Sequence, residues 1–289
     1  MLHQLRLIDS GALRLTTVGC PGGTPWSAEE PVTTAAVVLV RRGVFRRRVN
    51  GAESLADTTT GYVQRPGECQ QVGHPAGGDV CTTIGVPPEL ADRLARTGPL
   101  IVPAAADLAH RRVLAATRHP RPAQPDPARP DPAQPDPAQP DPARPNRTRF
   151  HPAQRHPAPA ASDLVLSDLA TDVLAALLPA TAPPRSSARI DDVRAALHAD
   201  PGRTLADLAT VAGWSPWHLS RAFHQVTGVT IGTYRRRLRT RAALDALADG
   251  DTPAAVAART GFADQAHLTR ALRREVALSP AVARRLFAG

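Results

Sequence analysis

Two tetrapeptides in the C-terminal third hold the side chains best placed to do chemistry: His218-Leu219-Ser220-Arg221 and His267-Leu268-Thr269-Arg270. On a helix, the Leu of each turns inward while His, Ser or Thr, and Arg turn outward. An Arg guanidinium is a rigid fork of donors that fits a guanine edge or a phosphate. Ser220 and Thr269 suit phosphates or a thymine methyl. An imidazole can serve as a pH switch, but His218 and His267 read as surface groups facing phosphate. Trp217 is expected on the surface, against a nucleic-acid backbone or a thymine methyl.

The flanking residues predict the elements that must position these groups. Ala209-x3-Gly213-Trp214-Ser215 aligns with Ala257-x3-Gly261-Phe262-x-Asp264. The small Ala permits close helix packing, Gly supplies a left-handed turn, and the aromatic plugs a core. Ser215 and Asp264 are N-caps, and Pro216 stands at a first helical position where a missing N–H costs nothing. Leu205 to Val226 and Pro253 to Val276 therefore read as two helix-turn-helix units. Seven helices are expected from Ile190 onward, the longest being about Thr230–Ala248. That rod holds Arg235, Arg236, Arg237, Arg239 and Arg241, which cannot all face one groove. Some are expected in solvent or on phosphates, and at least one in an ion pair with a nearby acid. Two reading helices held by a rod would enter adjacent major grooves about 34 Å apart.

These residues resemble the DNA-binding domain of the AraC/XylS family of bacterial transcription regulators. The resemblance runs from Ala209 through Trp214, Trp217, His218, Arg221 and Phe223 to Gly228, Tyr234, Arg239 and Ala243. It continues through Gly261-Phe262, Gln265, His267-Leu268-Thr269-Arg270 and Ser279-Pro280. It implies DNA contacts at Trp217, His218, Ser220 and Arg221, and at Gln265, Ala266, His267, Thr269 and Arg270. Two departures weaken the match locally, and one contact position lacks a polar group. Leu272 replaces the usual Phe, a tolerable core exchange. Ala277 replaces the usual Gly, which loosens the exit of the second reading helix. Ala266 has no polar group with which to read a base. The resemblance further implies a sequence-specific activator that binds double-stranded DNA, works with RNA polymerase, forms a homodimer and answers to a small-molecule effector. The alternative is an effector-independent regulator whose N-terminal part only dimerises.

Before residue 103 the chain alternates short Val- and Thr-rich runs with glycines. Leu13–Val18, Thr34–Val40, Val44–Val49, Gly61–Arg65 and Cys81–Val86 predict the strands of an antiparallel sandwich or barrel. Gly43 to Gly51, Arg65-Pro-Gly-Glu68 and His74 to Cys81 resemble, less specifically, the cupin-like sensor domain of the same family. A metal-binding cupin needs a close His pair, a carboxylate and a further His. Val44–Asn50 contains no His, so a metal-dependent dioxygenase or isomerase is not expected. Cys69, His74 and Cys81 lack a fourth ligand nearby in sequence, so core or turn packing is expected for these cysteines, with thiol or redox sensing and then a metal as the alternatives. The Arg46-Arg47-Arg48 run reads as a solvated strand face, with contact to an anionic effector as the alternative. No nucleophile elbow, Gly-rich phosphate loop or metal triad is evident, so neither an enzyme nor a bound cofactor is expected.

Between these parts lie five successive pentapeptides, Pro122–Asn146, of the form PAQPD, PARPD or PARPN. Two Pro in every five residues oppose both helix and ladder, so a disordered, extended spacer is predicted within about 119–160. Pro103–Arg118 and Ser162–Leu178 show helical spacing and predict a hairpin. Its apolar face either forms a dimer surface or covers the sheet. The expected architecture is α+β and multidomain: a cupin-like antiparallel sandwich or barrel over 1–102, the interrupted hairpin over 103–184, and an all-α DNA-binding domain with two helix-turn-helix units over 185–289.

Charge agrees with an anionic partner. The 289 residues carry a net charge of +9, and all 35 basic side chains are Arg, none Lys. From Arg189 to Gly289, 15 Arg stand against 9 acids, which places +6 of the +9 there. The longest strongly apolar run, Ala35–Val40, is far below the roughly 20 residues of a membrane span. No secretory signal is evident in Met1–Ser10, and three Cys are too few for a disulfide scaffold, so a cytoplasmic protein is expected.

Overall fold

The computed structural model describes residues 3–9, 14–22, 26–95, 100–118, 161–178 and 187–287. The predicted Pro-rich spacer lies outside the described residues.

Among the described residues, ten strands and one helix come first: β1 (His3–Asp9), β2 (Arg14–Cys20), β3 (Glu30–Pro31), β4 (Ala36–Arg42), β5 (Val44–Val49), β6 (Ala52–Asp57), β7 (Thr60–Gln64), β8 (Cys69–Gly73), β9 (Asp79–Gly85), α1 (Pro88–Ala95) and β10 (Leu100–Ile101). Nine of them form one antiparallel path, β1-β2-β9-β4-β7-β6-β5-β8-β3, with β10 added beside β7. The β5–β6 hairpin turns on Asn50-Gly51, both at positive φ (48° and 82°). That is the signature of a two-residue type I′ turn, whose twist matches the flanking strands. The expected strands all form. β6 and β8 were not legible, because AESLAD and CQQVG have little strand propensity of their own and are held by pairing on both sides of β5.

Alternation along β4 divides two cores. Val37 and Leu39 pack with Leu15 of β2 and Ile84 of β9 on the outer face. Val38 and Val40 face inward with Phe45, Ala56 and Cys81. The outer face is covered by α1 together with α2 (Ala104–Arg118) and α3 (Ala161–Leu177), whose Val113, Leu166, Ala170 and Val173 join that cluster. The predicted hairpin therefore covers the sheet. The Arg46–Arg48 run corrects the expectation of a solvated face. Arg47 is buried, 2.9 Å from Glu68 and stacked on Tyr62. Arg46 pairs with Asp192, and Arg48 pairs with Glu53 at 2.5 Å.

Seven helices follow: α4 (Ala188–Ala199), α5 (Leu205–Ala212), α6 (Pro216–Thr227), α7 (Ile231–Ala248), α8 (Pro253–Arg259), α9 (Gln265–Val276) and α10 (Pro280–Phe287). Two apolar clusters sit at the two ends of α7. One gathers α4, α5 and α6 around Leu208, Leu219 and Phe223. The other gathers α8, α9 and α10 around Val256, Leu268 and Phe287, with Ala104 and Leu108 of α2 packed against it. Among the described residues, no helix is long and apolar enough to cross a membrane.

Candidate nucleic-acid interface

The two units are built by the same local bonds. In the first, Gly213 ends α5 in the left-handed region (φ 65°), and the Trp214 N–H donates to the Ala209 carbonyl at 3.0 Å. Ser215 Oγ then accepts from the His218 N–H at 3.2 Å, capping α6. In the second, Gly261 turns at φ 77°, and the Phe262 N–H donates to the Ala257 carbonyl at 3.0 Å. Asp264 Oδ1 accepts from the His267 N–H at 2.6 Å, capping α9. Each cap satisfies one of the orphan donors of the first turn. These bonds set the entry of the second helix of each pair.

The predicted contact residues lie where that frame puts them. Trp217 is 70% exposed, the highest value among the large exposed apolar side chains, and the Arg221 guanidinium sits 5.7 Å from its ring centre. His218, Ser220 and Arg221 on α6 are exposed, as are Gln265, Ala266, His267 and Arg270 on α9. Thr269 is half-buried, and its hydroxyl donates to the Gln265 carbonyl at 2.8 Å. The two histidines are equivalent: His218 packs on Trp214 (centroids 4.7 Å apart) and His267 on Phe262 (5.3 Å). Phe262 is buried as expected, while Trp214 is only half-buried. A groove of about 530 Å³ beside α9 is lined by Arg236, His267, Arg270 and Arg274 and by the cap Asp264. The arrangement offers cationic donors to an anionic ligand.

The expected ion pair forms on the connecting rod, but none of its five arginines is fully exposed. Arg236 and Arg237 pair with Glu275 of α9 at 2.8 and 3.8 Å. Arg235 donates to the Arg203 carbonyl at 2.5 Å. Arg241 is buried, donating to the Val102 carbonyl at 2.7 Å.

Sequence reasoning missed the junction between the sheet and the helices. Asp57, at the end of β6, is fully buried. Its Oδ2 accepts from Arg194 Nε at 3.0 Å and Nη2 at 2.5 Å, and from the Tyr234 hydroxyl. Burial raises the pKa of Asp57, but Arg194 above all, then His198 and Tyr234, hold it well below the usual carboxylate range. Asp191, the second partner of Arg194, goes the other way, because burial outweighs the guanidinium. Beside this knot, Arg111 of α2 pairs with Asp107 at 3.1 Å and with Asp245 of α7. Arg42 reaches Asp249 at 2.5 Å. His110, buried near them, is pushed down to about 3 by burial and by Arg41, Arg111 and Arg241, against the opposing pull of Asp107. A cavity of about 770 Å³ opens along the junction, between Arg42 and Gly43 on one side and Asp200, Arg239 and Asp245 on the other. The signal was weak because Asp57, Asp245 and Asp249 all stand far from their partners in sequence.

A pair of capped helix-turn-helix units on one rod, with an exposed cationic face on each second helix, defines a helix-turn-helix DNA-binding protein. A helix-turn-helix family model matches residues 187–286. The HTH-type transcriptional regulator YbfI of Bacillus subtilis is 40% identical over 65 residues, which is 22% of this chain and 24% of that protein. The chain thus spans about a quarter of that relative's length. The "Probable transcription factor PqrA" of Proteus vulgaris is 33% identical over 86 residues, 29% of this chain and 70% of that protein. The crystal structure of "a probable AraC family transcriptional regulator" from Rhodopseudomonas palustris is 25% identical over 35% of this chain and 98% of that one, with a TM-score of 0.33. The chain belongs to the AraC/XylS family of DNA-binding transcription regulators.

Proposed function

We propose that the protein is a sequence-specific transcription regulator, an activator, whose α6 and α9 read adjacent major grooves on one side of DNA. The observation that carries this reading is the repeat of exposed His and Arg on two helices capped by matching bonds, with Ser220 exposed and Thr269 half-buried between them. Arg221 and Arg270 contact base edges or phosphates, His218 and His267 phosphates, and Ser220 and Thr269 phosphates or a thymine methyl. Trp217 packs on the sugar-phosphate backbone, and Gln265 offers its amide to a base. Arg273, Arg274, Arg284 and Arg285, all exposed, add phosphate contacts. Activation involves RNA polymerase, and the protein works as a homodimer.

The N-terminal sheet senses a small-molecule effector. The ion pairs at Asp57, Arg111 and Arg42 support this, because they tie the sheet and α2 to the helices that hold the reading heads. An effector acts by favouring one arrangement of that junction, to the extent that it binds the two arrangements differently. The test is selection of bound sequences by the full chain from a random DNA pool. A recovered site with two conserved blocks about one helical turn apart is the expected result, with affinity falling steeply as salt rises. Recovery of unrelated sequences, or binding indifferent to salt, would reject the reading.

A further inference from the structure

The fold assembles a set of metal-ligand side chains that are scattered in sequence. Cys20 ends β2 and lies directly opposite Asp79 in the β2–β9 ladder. Cys81 follows two residues along β9, on the same face as Asp79. His74, in the loop after β8, lies over this corner. Its Nδ1 is 3.8 Å from Cys20 Sγ, and its Nε2 is 2.7 Å from Asp79 Oδ1. The ligand atoms of Cys20, His74 and Asp79 all lie within 4.8 Å of one another. Cys81 Sγ adds a fourth, donating to Asp79 Oδ2 at 2.9 Å.

Two further observations point to an occupant. Asp79 is only 7% exposed; its Oδ1 faces His74 Nε2 at 2.7 Å and has no assigned hydrogen bond. A buried carboxylate beside an imidazole and two thiols is stabilised by a bound cation. The backbone is also pressed together at this corner. A Cβ on Gly78 would lie 2.3 Å from the Cys20 carbonyl oxygen, and one on Gly43 would lie 2.4 Å from the Gly78 carbonyl oxygen. Only glycine lets the loop that holds His74 and Asp79 close on Cys20.

We propose that Cys20, His74, Asp79 and Cys81 form a zinc site in the N-terminal sheet. Two thiolates, an imidazole and a carboxylate are a borderline-soft set that suits zinc and is poor for magnesium or calcium. Bonds of roughly 2.0–2.3 Å in a tetrahedral site place ligand atoms about 3.3–3.8 Å apart, so the His74–Asp79 and Cys81–Asp79 contacts lengthen on binding while Cys20, His74 and Asp79 draw in from within 4.8 Å. Binding releases the thiol protons to solvent. Cys69, exposed on β8, takes no part. The site adjoins the junction: Val80, between the two β9 ligands, pairs in the ladder with Arg42, which holds Asp249.

The test uses the reduced, untagged full chain with Zn2+ or Co2+ alone. One equivalent of zinc should survive desalting. Co2+ should give the visible bands of a tetrahedral ion together with a near-ultraviolet thiolate-to-cobalt band. C20S and C81S should each weaken the thiolate band, and H74Q and D79N should lower zinc affinity at least 10-fold, while C69S retains full stoichiometry. Thiol alkylation of the unaltered protein covers the case in which variants misfold. Zinc should slow labelling of Cys20, a chelator should restore it, and Cys69 should be indifferent. No retained zinc, a cobalt spectrum without the thiolate band, a Cys20–Cys81 disulfide in place of metal, or equal labelling of Cys20 with and without zinc would each overturn the assignment.

Discussion

Removing the carboxylate of Asp57 tests whether the junction is held electrostatically. In D57A, Arg194 loses two donor contacts to Oδ2 and Tyr234 loses its acceptor. Both members of the pair are buried, at 0% and 8% exposure, so water cannot replace the lost partner without opening the junction. Breaking a buried pair by removing one member costs about 3–5 kcal/mol. Arg194 keeps Asp191 at 3.0 Å and the Thr60 hydroxyl at 2.6 Å, which places the expected loss near the lower end of that range. Removing both charges in D57A/R194M leaves no stranded guanidinium. The double variant should lose clearly less than the sum of D57A and R194M measured singly, the difference being the coupling energy, although Thr59, Thr60 and Tyr234 lose their bonds to Asp57 in it. The assay is equilibrium urea unfolding, with amide exchange in α4 and α7 as a local readout. Asp57 has a depressed pKa in the folded state, so its contribution is complete above the unfolded value of about 4 and fades as pH falls further. Wild type and D57A should therefore converge in acid. A single-variant loss below about 1 kcal/mol, or a double variant that loses the sum of the singles, would refute this account.

Other perturbations probe the remaining parts. R270A should lose about 1–3 kcal/mol on the selected site relative to random DNA if the guanidinium reads a base, as competition binding would show; equal losses on both would assign it to phosphate. His110 is held neutral in the fold down to about pH 3, so the unfolded chain takes up its proton first. Stability should fall by about 2 kcal/mol between pH 7 and pH 5, and H110L should flatten that slope in urea titrations. Ala277 adopts φ 57°, a left-handed conformation that costs an L-residue roughly 1 kcal/mol. A277G should raise the thermal midpoint by about 1–3 °C, and a lower midpoint would show that the Ala methyl contributes packing there.

Agreement between sequence and structure is closest where structure is local. Gly213, Ser215, Gly261 and Asp264 form turns and caps within four residues of themselves, so their types and spacing reveal both helix-turn-helix units and the outward faces of α6 and α9. The Arg-only basic content revealed the sign of the partner. Strands with strong Val and Thr content were legible too, whereas β6 and β8 depend on neighbours in the sheet. Arg46 to Arg48 alternate as a strand should, but only the fold supplied Asp192 and Glu68 to pair with them.

By itself the amino-acid sequence determined the two helix pairs, their caps, their cationic surface and the strand-rich character of the first hundred residues. Tertiary structure alone decided which distant charges meet. Asp57 finds Arg194 across 137 residues, and Arg111 finds Asp245 across 134. Cys20 and His74 converge across 54 residues because strand register sets the Cys20–Asp79 pair. The reason is physical. Caps and turns are closed by bonds within a few residues, whereas a buried ion pair or a ligand set exists only once sheet and helices have docked and excluded water.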